Sequence, residues 1–369
     1  MTEVRPLRLL VKAIVFFALA NLAFAWLDLP LGKVTIYNWL APGRVRVPYE
    51  QRPEFFALGY NMPIFDDFDA MFGSHAISRP KAADEYRVIL LGDSSTWGYD
   101  LRPGEILSEQ LNSLSLRTCD GKRVRAYDLA YPFPHLMKDL LVLDGAKKYE
   151  PDLVVWMVTL YSFEQKSAVR DFLNPHAEQS LELIETYHLN VISPGLHTPT
   201  FWERALVSRR KLLKNMALVQ LNGLLWGATG IDFHIRAIGK MSENVDADPS
   251  YGGVQPPLNI AELMFDVLGA GYQSASPARL LVVNEPIFIA TGANSSVRYN
   301  TFYPRWAYDQ YRQALADWMA QNGHAYLDLW NALPNSVFTD HPLHRSAEGE
   351  SLLAGRMKAG ILRVACEGK

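Results

Sequence analysis

Residues 87–98 read RVILLGDSSTWG, and this stretch decides the fold. The apolar run 88–91 predicts a buried strand, which ends abruptly at a glycine. In open α/β sheets, reactive groups are found beyond the carboxyl ends of parallel strands, where Ser94 would lie. We predict that a helix over 105–116 points its N-terminal N–H groups toward Ser94 and favours negative charge there. Ser94 is therefore a candidate nucleophile; alternatively, Ser94 or Ser95 only caps a helix.

A second candidate segment, residues 338–349, reads FTDHPLHRSAEG and precedes a predicted helix over 350–364. A serine hydroxyl is a weak nucleophile and needs a base within hydrogen-bond reach, itself oriented by a third group. His344 would supply the base and Asp340 the orienting carboxylate, both from one tight turn. Taken alone, the turn is typical of a polar loop, but its pairing with Ser94 in the order Ser, Asp, His favours catalysis.

Together, the two segments resemble the SGNH (GDSL-type) hydrolases, over about residues 86–163 and 278–365. By that resemblance Ser94 is the nucleophile, His344 the general base and Asp340 its orienting carboxylate. The resemblance also implies an α/β fold, a three-layer sandwich with a central, mostly parallel sheet of the SGNH/flavodoxin-like kind. The matching positions are Gly92, Asp93, Ser94, Thr96, Gly98, Asp340, His344 and Gly349.

The same resemblance implies an oxyanion hole with three donors: the Ser94 N–H, a glycine N–H and an asparagine side chain. Phe133 stands near the glycine position, although any residue offers a backbone N–H, and Tyr161 aligns with the asparagine. The spacing from Asp340 to the histidine is four rather than three, which places His341 at the usual aspartate position. Loss of one oxyanion donor costs about 2.7–4 kcal/mol of transition-state stabilisation. The sequence thus predicts a nucleophile and base with an altered oxyanion hole.

A further predicted strand, 280–283, ends in Asn284 and Glu285. Its carboxyl end would lie on the same sheet edge as Ser94, so Asn284 is a candidate oxyanion donor. Alternatively, Asn284 opens a turn before a proline, and we favour this interpretation. For Glu285 we favour a surface charge over a carboxylate in the site.

The N-terminus determines the predicted compartment. Residues 9–27 form an apolar stretch preceded by Arg5 and Arg8. Its length is close to the ~20 residues that span a bilayer, and the basic flank favours a cytoplasmic N-terminus. We predict a signal anchor over 1–28, making a single-pass membrane protein. A signal peptide cleaved after an Ala-x-Ala site at 23–25 and a buried soluble helix are the alternatives.

Beyond the anchor, the Pro-rich composition of one segment and the extent of the resemblance divide the chain into three parts. We predict a Pro-rich juxtamembrane segment over 29–85, a catalytic domain from 86–163 and 278–369, and a helical insertion over 164–277. Within the insertion, 201–227 predicts a helix that begins basic and continues apolar. Such a helix lies either in a membrane interface or as a cap over the sheet edge.

Residues 294–312 are rich in aromatic and arginine side chains. Exposed, they would suit stacking and hydrogen bonding to sugar rings. They suit a packed helix entrance equally well, because the following segment 307–322 is amphipathic and predicts a helix. Both interpretations remain open from the sequence.

Composition excludes several classes of protein. With 49% hydrophobic and 12% aromatic residues the chain can bury a large core, and a net charge of −3 argues against nucleic-acid binding. No cofactor and no metal site is predicted, because zinc-ligand spacing and a phosphate-binding glycine loop with lysine are both missing. The two cysteines, Cys119 and Cys366, either form one disulfide or remain separate thiols.

These features predict an extracytoplasmic serine esterase or O-acyltransferase that acts on a cell-envelope glycan through a Ser94 acyl-enzyme. The glycan follows from the resemblance, because membrane-tethered SGNH proteins often modify envelope polysaccharides beside membrane-embedded acyl carriers. The implied partners are an acylated glycan or acyl donor, the membrane and such a carrier protein. The alternatives are an esterase of membrane lipid and a non-catalytic envelope binding or assembly protein on the same fold.

Overall fold

The computed structural model describes residues 6–29, 39, 42–47, 68–165, 173–192, 195–211, 213–214, 217, 221 and 239–367. Most of the predicted Pro-rich segment and most of the apolar half of the predicted 201–227 helix lie outside these described residues.

A five-stranded sheet, entirely parallel, forms the centre of the molecule. The strand order β2-β1-β3-β4-β5 is that of flavodoxin-like doubly wound sheets, which confirms the predicted fold class. β1 and β3 are buried along their whole length, as expected for strands covered on both faces. The strands are β1 (Glu85–Leu91), β2 (Arg123–Asp128), β3 (Leu153–Val158), β4 (Arg279–Asn284) and β5 (Ala325–Asp328).

Helices cover both faces of the sheet and make the fold a three-layer sandwich. One face packs against α5, α7 and α8, and the other against α4 and α9. α7 falls within the predicted insertion but packs on the sheet beside α5. The α-helices are α1 (Pro6–Leu27), α2 (Phe68–Gly73), α3 (Ser94–Trp97), α4 (Leu107–Ser113), α5 (Leu136–Ala146), α6 (Ala177–Tyr187), α7 (Phe265–Ala275), α8 (Arg305–Gln321) and α9 (Ala347–Cys366).

The order of the strands places the site. β1 lies between β2 and β3, so the connections leaving β1 and β3 run to opposite sides of the sheet. Such a switch point opens a crevice at the carboxyl ends of the strands. The carboxyl ends of β1, β2, β3 and β4 therefore lie along one sheet edge, and each strand ends in or is followed by one of the predicted site residues.

α1 is long and apolar enough to cross a membrane, and its side chains are almost all exposed. Residues 201–209 form turns rather than the predicted helix. This segment contacts the end of α1: the Val207 N–H donates to Asn21 Oδ1 at 2.9 Å, and Arg209 pairs with Asp28 at 2.7 Å. The basic part of the predicted insertion helix thus lies against α1.

Cys119 and Cys366 form a disulfide, with 5.6 Å between their Cα atoms. The bond joins the end of α9 to the loop before β2. It resolves the alternative that the sequence left open in favour of one disulfide.

Candidate active site

The turn after β1 positions Ser94 as the first residue of α3. Asp93 caps this helix, because its side chain accepts a hydrogen bond from the Ser95 N–H at 2.8 Å. Neither serine is the cap, so the alternative interpretation of Ser94 does not describe this turn. α3 has only four residues. The helix predicted over 105–116 corresponds to α4, which begins two residues later and is shorter. Glycine is required at position 92 because the backbone there passes close to the Thr96 side chain, and a Cβ would lie 2.5 Å from Thr96 Oγ1.

Ser94, His344 and Asp340 are brought together across the sheet edge. Ser94 Oγ lies 2.9 Å from His344 Nε2, and His344 Nδ1 lies 3.3 Å from Asp340 Oδ1. With the imidazole proton on Nδ1, the Ser94 hydroxyl donates to Nε2 and the ring donates to Asp340. The hydrogen bond with His344 is the main reason that the Asp340 pKa falls to about 2. Asp340 is therefore ionised at neutral pH and can stabilise an imidazolium.

His341 does not take the orienting position that the resemblance would assign to it. Its ring stacks on His344 with 4.3 Å between ring centroids, and Tyr99 also stacks on His344 at 4.8 Å. Burial, followed by the charge of His344, lowers the His341 pKa to about 4. His341 is thus a neutral ring that packs against the base, and Asp340 is the group at Nδ1.

Asp100 is a nearby carboxylate that the sequence analysis missed. Oxygen atoms of Asp100 and Asp340 and a ring nitrogen of His344 lie within 4.8 Å of one another. Three such groups can hold a metal ion, but His344 already uses one ring nitrogen for Ser94 and the other for Asp340. Asp100 is buried in the left-handed region, with φ of 63°, directly after the turn that closes α3.

Two of the predicted oxyanion donors lie beyond the carboxyl ends of β1 and β2. The Ser94 N–H opens α3, and within the described part of the chain no hydrogen bond uses it. Phe133 has φ of 92°, a conformation that glycine adopts without strain and that a bulky residue seldom takes. The backbone at Phe133 thus adopts a conformation typical of glycine, although the residue is phenylalanine.

The other two candidates have different surroundings. Tyr161 lies half-buried on the turn Leu160–Phe163 after β3, and its ring stacks on Phe302 at 6.0 Å. Asn284 is fully buried, and its Nδ2 donates to Asp328 at 2.8 Å. Its Oδ1 accepts hydrogen bonds from the hydroxyls of Tyr308 and Tyr311. The Asn284 amide therefore joins β4 to β5 and α8, and it is neither aimed at Ser94 nor a turn opener.

A buried lysine joins the two loops that carry Ser94 and Phe133. Lys138 Nζ donates to the carbonyls of Gly92 and Tyr131, both at 2.6 Å, and pairs with Asp139 at 2.8 Å. Its side chain is completely buried. The sequence analysis did not identify Lys138, because a lysine in the sequence of a helix gives no sign of its burial or of what it contacts.

Glu285 is buried, at 1% exposure, which contradicts the predicted surface position. It accepts hydrogen bonds from Ser95 Oγ and from Arg345 Nη1, the latter at 3.0 Å. Arg345 also pairs with Glu350 at 2.9 Å and donates to the Ser95 carbonyl at 3.3 Å. Burial raises the pKa of Glu285 to about 8 and that of Glu350 to about 7. The Arg345 guanidinium thus pairs with two buried carboxyl groups. It also links the segment of His344 to Ser95, the residue that follows Ser94.

No protein-family model and no curated protein sequence matches this chain. Among solved structures, it is similar to a catalytic mutant of an acetylxylan esterase from Geobacillus stearothermophilus, at 12% identity and a TM-score of 0.36, over 78% of this chain and 96% of the esterase. It is also similar to a lipase/acylhydrolase from Enterococcus faecalis, at 14% identity and a TM-score of 0.34, over 74% and 95% of the two chains. An extracellular lipase from Streptomyces rimosus matches at 14% identity and a TM-score of 0.30, over 75% and 97%.

Proposed function

We propose that this chain is a serine esterase or O-acyltransferase that forms an acyl-enzyme on Ser94. The observation that carries the proposal is the 2.9 Å contact between Ser94 Oγ and His344 Nε2, with Asp340 at the other ring nitrogen. Acyl transfer through serine requires a nucleophile, a base and an orienting carboxylate, each hydrogen-bonded to the next.

In the first half-reaction, Ser94 Oγ attacks the ester carbonyl carbon while His344 Nε2 takes the hydroxyl proton. Negative charge develops on the former carbonyl oxygen, and the N–H groups of Ser94 and Phe133 are the donors we assign to it. His344 then gives its proton to the leaving alcohol, and the acyl group remains bound to Ser94. Asp340 holds the ring in the required tautomer and stabilises its charged form.

In the second half-reaction, an acceptor hydroxyl attacks the acyl-Ser94 carbonyl and loses its proton to His344. Water as the acceptor releases a free acid, and a sugar hydroxyl as the acceptor gives a transferred ester. In both cases His344 returns the proton to Ser94 Oγ, which restores the enzyme. Esterase and transferase therefore share one set of residues and differ only in the acceptor.

We place the reaction outside the cytoplasm, on an acylated glycan of the cell envelope. The apolar helix α1, its basic flank at Arg5 and Arg8, and the disulfide between Cys119 and Cys366 support an anchored domain in an oxidising compartment. An anchored site lies close to the membrane, so a membrane-embedded carrier could deliver the acyl group.

An esterase of membrane lipid is the second candidate function. It is favoured by the contacts of Val207 and Arg209 with the end of α1, which hold the segment 201–209 near the membrane surface. Release of fatty acid from vesicles by the purified protein, with no activity on acetylated glycan, would favour this candidate.

Labelling with a serine-reactive fluorophosphonate tests the proposal. We expect the detergent-solubilised full chain to be labelled, and Ser94→Ala and His344→Ala to lose labelling. Ser113→Ala, which removes an exposed hydroxyl, is the matched control and should label like the unchanged protein. An unlabelled, well-folded protein, in a mixture where a known esterase labels, would overturn the proposal and favour a non-catalytic envelope protein.

A further inference from the structure

A cavity of about 510 Å³ lies beside the candidate active site. Its volume falls within the roughly 300–1,000 Å³ range of small-ligand sites. Two loops and the turn after β3 form its walls, and among the described residues that line it are Tyr161, Asp246, Asp248, Gly253, Arg298 and Phe302.

A continuous series of ring contacts connects this cavity to the base. Phe302, on the cavity wall, stacks on Tyr161 at 6.0 Å and meets the edge of His341 at 4.7 Å. His341 in turn stacks on His344 at 4.3 Å. A ligand packed on the Phe302 ring would therefore be separated from the catalytic base by two rings, those of Phe302 and His341.

The cavity is held open by the buried side chain of Arg298. Its guanidinium donates to the carbonyls of Asp248, Ser250 and Thr301 at 2.8, 2.9 and 3.0 Å, and its Nε donates to that of Asn300 at 3.2 Å. These bonds tie the 246–253 loop to the 298–302 loop. Because its N–H groups donate to backbone carbonyls, Arg298 stabilises the walls of the cavity.

The polar part of the lining is acidic. Asp248 accepts hydrogen bonds from the Ser250 N–H at 2.8 Å and from the Ser250 hydroxyl at 2.6 Å, which lowers the Asp248 pKa and keeps it ionised. Asp246 is a second exposed carboxylate in the same loop. An ionised carboxylate accepts hydrogen bonds from hydroxyl or ammonium groups, and it repels other anions.

We propose that this cavity binds the sugar chain of a neutral or amino-sugar glycan and excludes polyanionic ones. The inference rests on the proposed function, because it places the sugar chain next to the serine chemistry at Ser94. The Phe302 and Tyr161 rings offer flat apolar surfaces for the C–H faces of sugar rings. The carboxylates of Asp246 and Asp248 accept from sugar hydroxyl or ammonium groups, and like-charge repulsion rejects uronate or phosphate chains.

Binding is tested with the full-length Ser94→Ala protein in detergent, so that no ester is consumed. The probes are cellohexaose, maltohexaose, a chitosan hexamer and hexagalacturonate, each titrated by calorimetry at pH 6. We expect at least one of the first three to bind and hexagalacturonate not to bind. Phe302→Leu and Asp248→Asn should each weaken that binding by tenfold or more. Asp317→Asn, on the exposed face of α8, is the matched carboxylate control and should leave binding unchanged.

Failure of all three neutral and amino-sugar probes, or tighter binding of hexagalacturonate, would overturn the inference. So would binding that is unaffected by both cavity variants. Fluorophosphonate labelling of the Ser94-containing protein is measured in parallel. Labelling without glycan binding rejects the cavity assignment and leaves the serine chemistry standing, whereas glycan binding without labelling rejects the chemistry and keeps the cavity.

Discussion

Glu285 is buried beside Ser95, the residue after the candidate nucleophile, where an ionised carboxylate is unfavourable. Arg345 offsets part of this cost but also serves Glu350, so the group has one positive charge for two carboxyl groups. Removing an ion from water costs several kcal/mol even after relaxation. The raised pKa of Glu285, about 8, reflects mainly this burial and secondly the negative charge of Asp93.

Replacing Glu285 by glutamine should change how stability depends on pH. In the folded protein Glu285 keeps its proton up to about pH 8, whereas in the unfolded chain it loses the proton near its ordinary pKa of 4.5. The folded state thus binds more protons between these values, and the wild type loses stability as the pH rises through that window. Glutamine does not titrate but can still accept from Ser95 and Arg345.

We therefore expect Glu285→Gln to gain stability relative to the wild type from pH 5 to pH 8, by at most about 1.4 kcal/mol per pH unit. Denaturant unfolding at each pH measures the difference. Glu262→Gln, at an exposed carboxyl, should show no such trend. A constant difference across the range would mean that Glu285 is ionised throughout.

At the residue scale, the sequence predicted groups that act through short-range patterns. Ser94 follows a strand in a recognisable triplet, and Asp340 and His344 share one turn, so their proximity to each other is local. Glu285 was wrongly predicted to lie at the surface, and Lys138 was not identified. The burial of both depends on partners far away in the chain. Glu285 meets Ser95 across 190 positions, and no local pattern records such a contact.

At the scale of elements, Lys138 on α5 fixes the loop after β1 relative to the loop after β2. Its two short bonds to carbonyls, at Gly92 and Tyr131, are made from the same ammonium group. The loops carry the Ser94 and Phe133 N–H groups that we assign to the oxyanion. In the proposed mechanism Lys138 would therefore position these donors, because its ammonium group is completely buried and bonded to the protein.

Lys138→Met should lower kcat for a small ester by tenfold or more and leave KM nearly unchanged. The reason is that displaced oxyanion donors weaken binding of the transition state more than binding of the ground state. Folding should also suffer, by about 3–5 kcal/mol, because Asp139 loses its buried partner. Steady-state kinetics and denaturant unfolding of the same preparation separate the two effects.

Lys148→Met provides the control for Lys138→Met, since Lys148 makes a partly exposed pair with Asp69 at 2.5 Å. Exposed pairs contribute about 0–1 kcal/mol, so this variant should keep both its activity and most of its stability. A normal kcat in Lys138→Met would show that the two loops hold their positions without the lysine.

The elements themselves were predicted unequally well. The apolar runs predicted the strands closely, as at 280–283, which lies within the observed strand Arg279–Asn284, because buried parallel strands are apolar throughout. α8 was predicted from its amphipathic pattern and spans Arg305–Gln321. The helix predicted over 201–227 begins instead with turns, and its Arg209 pairs with Asp28 at the end of α1. Periodicity does not report such a contact between distant segments.

For the whole molecule, the end of α1 and the segment 201–209 form one surface. Arg204 and Arg209 both reach Asp28, at 3.6 and 2.7 Å. Trp202, in the same segment, is 69% exposed. An exposed tryptophan beside arginines, next to the end of an apolar helix, is the composition found where proteins meet the headgroup region of a bilayer.

We expect Trp202 to lie in that interface when the protein is reconstituted into nanodiscs. Brominated lipids quench tryptophan fluorescence only at short range, so part of the quenched signal should come from Trp202. That part should disappear in Trp202→Phe and persist in Trp306→Phe, whose ring bonds to the Pro249 carbonyl beside the cavity. Equal loss of quenching in both variants would contradict the assignment. An interfacial Trp202 would place the segment 201–209 at the bilayer surface beside the end of α1, as its contacts with Asn21 and Asp28 require.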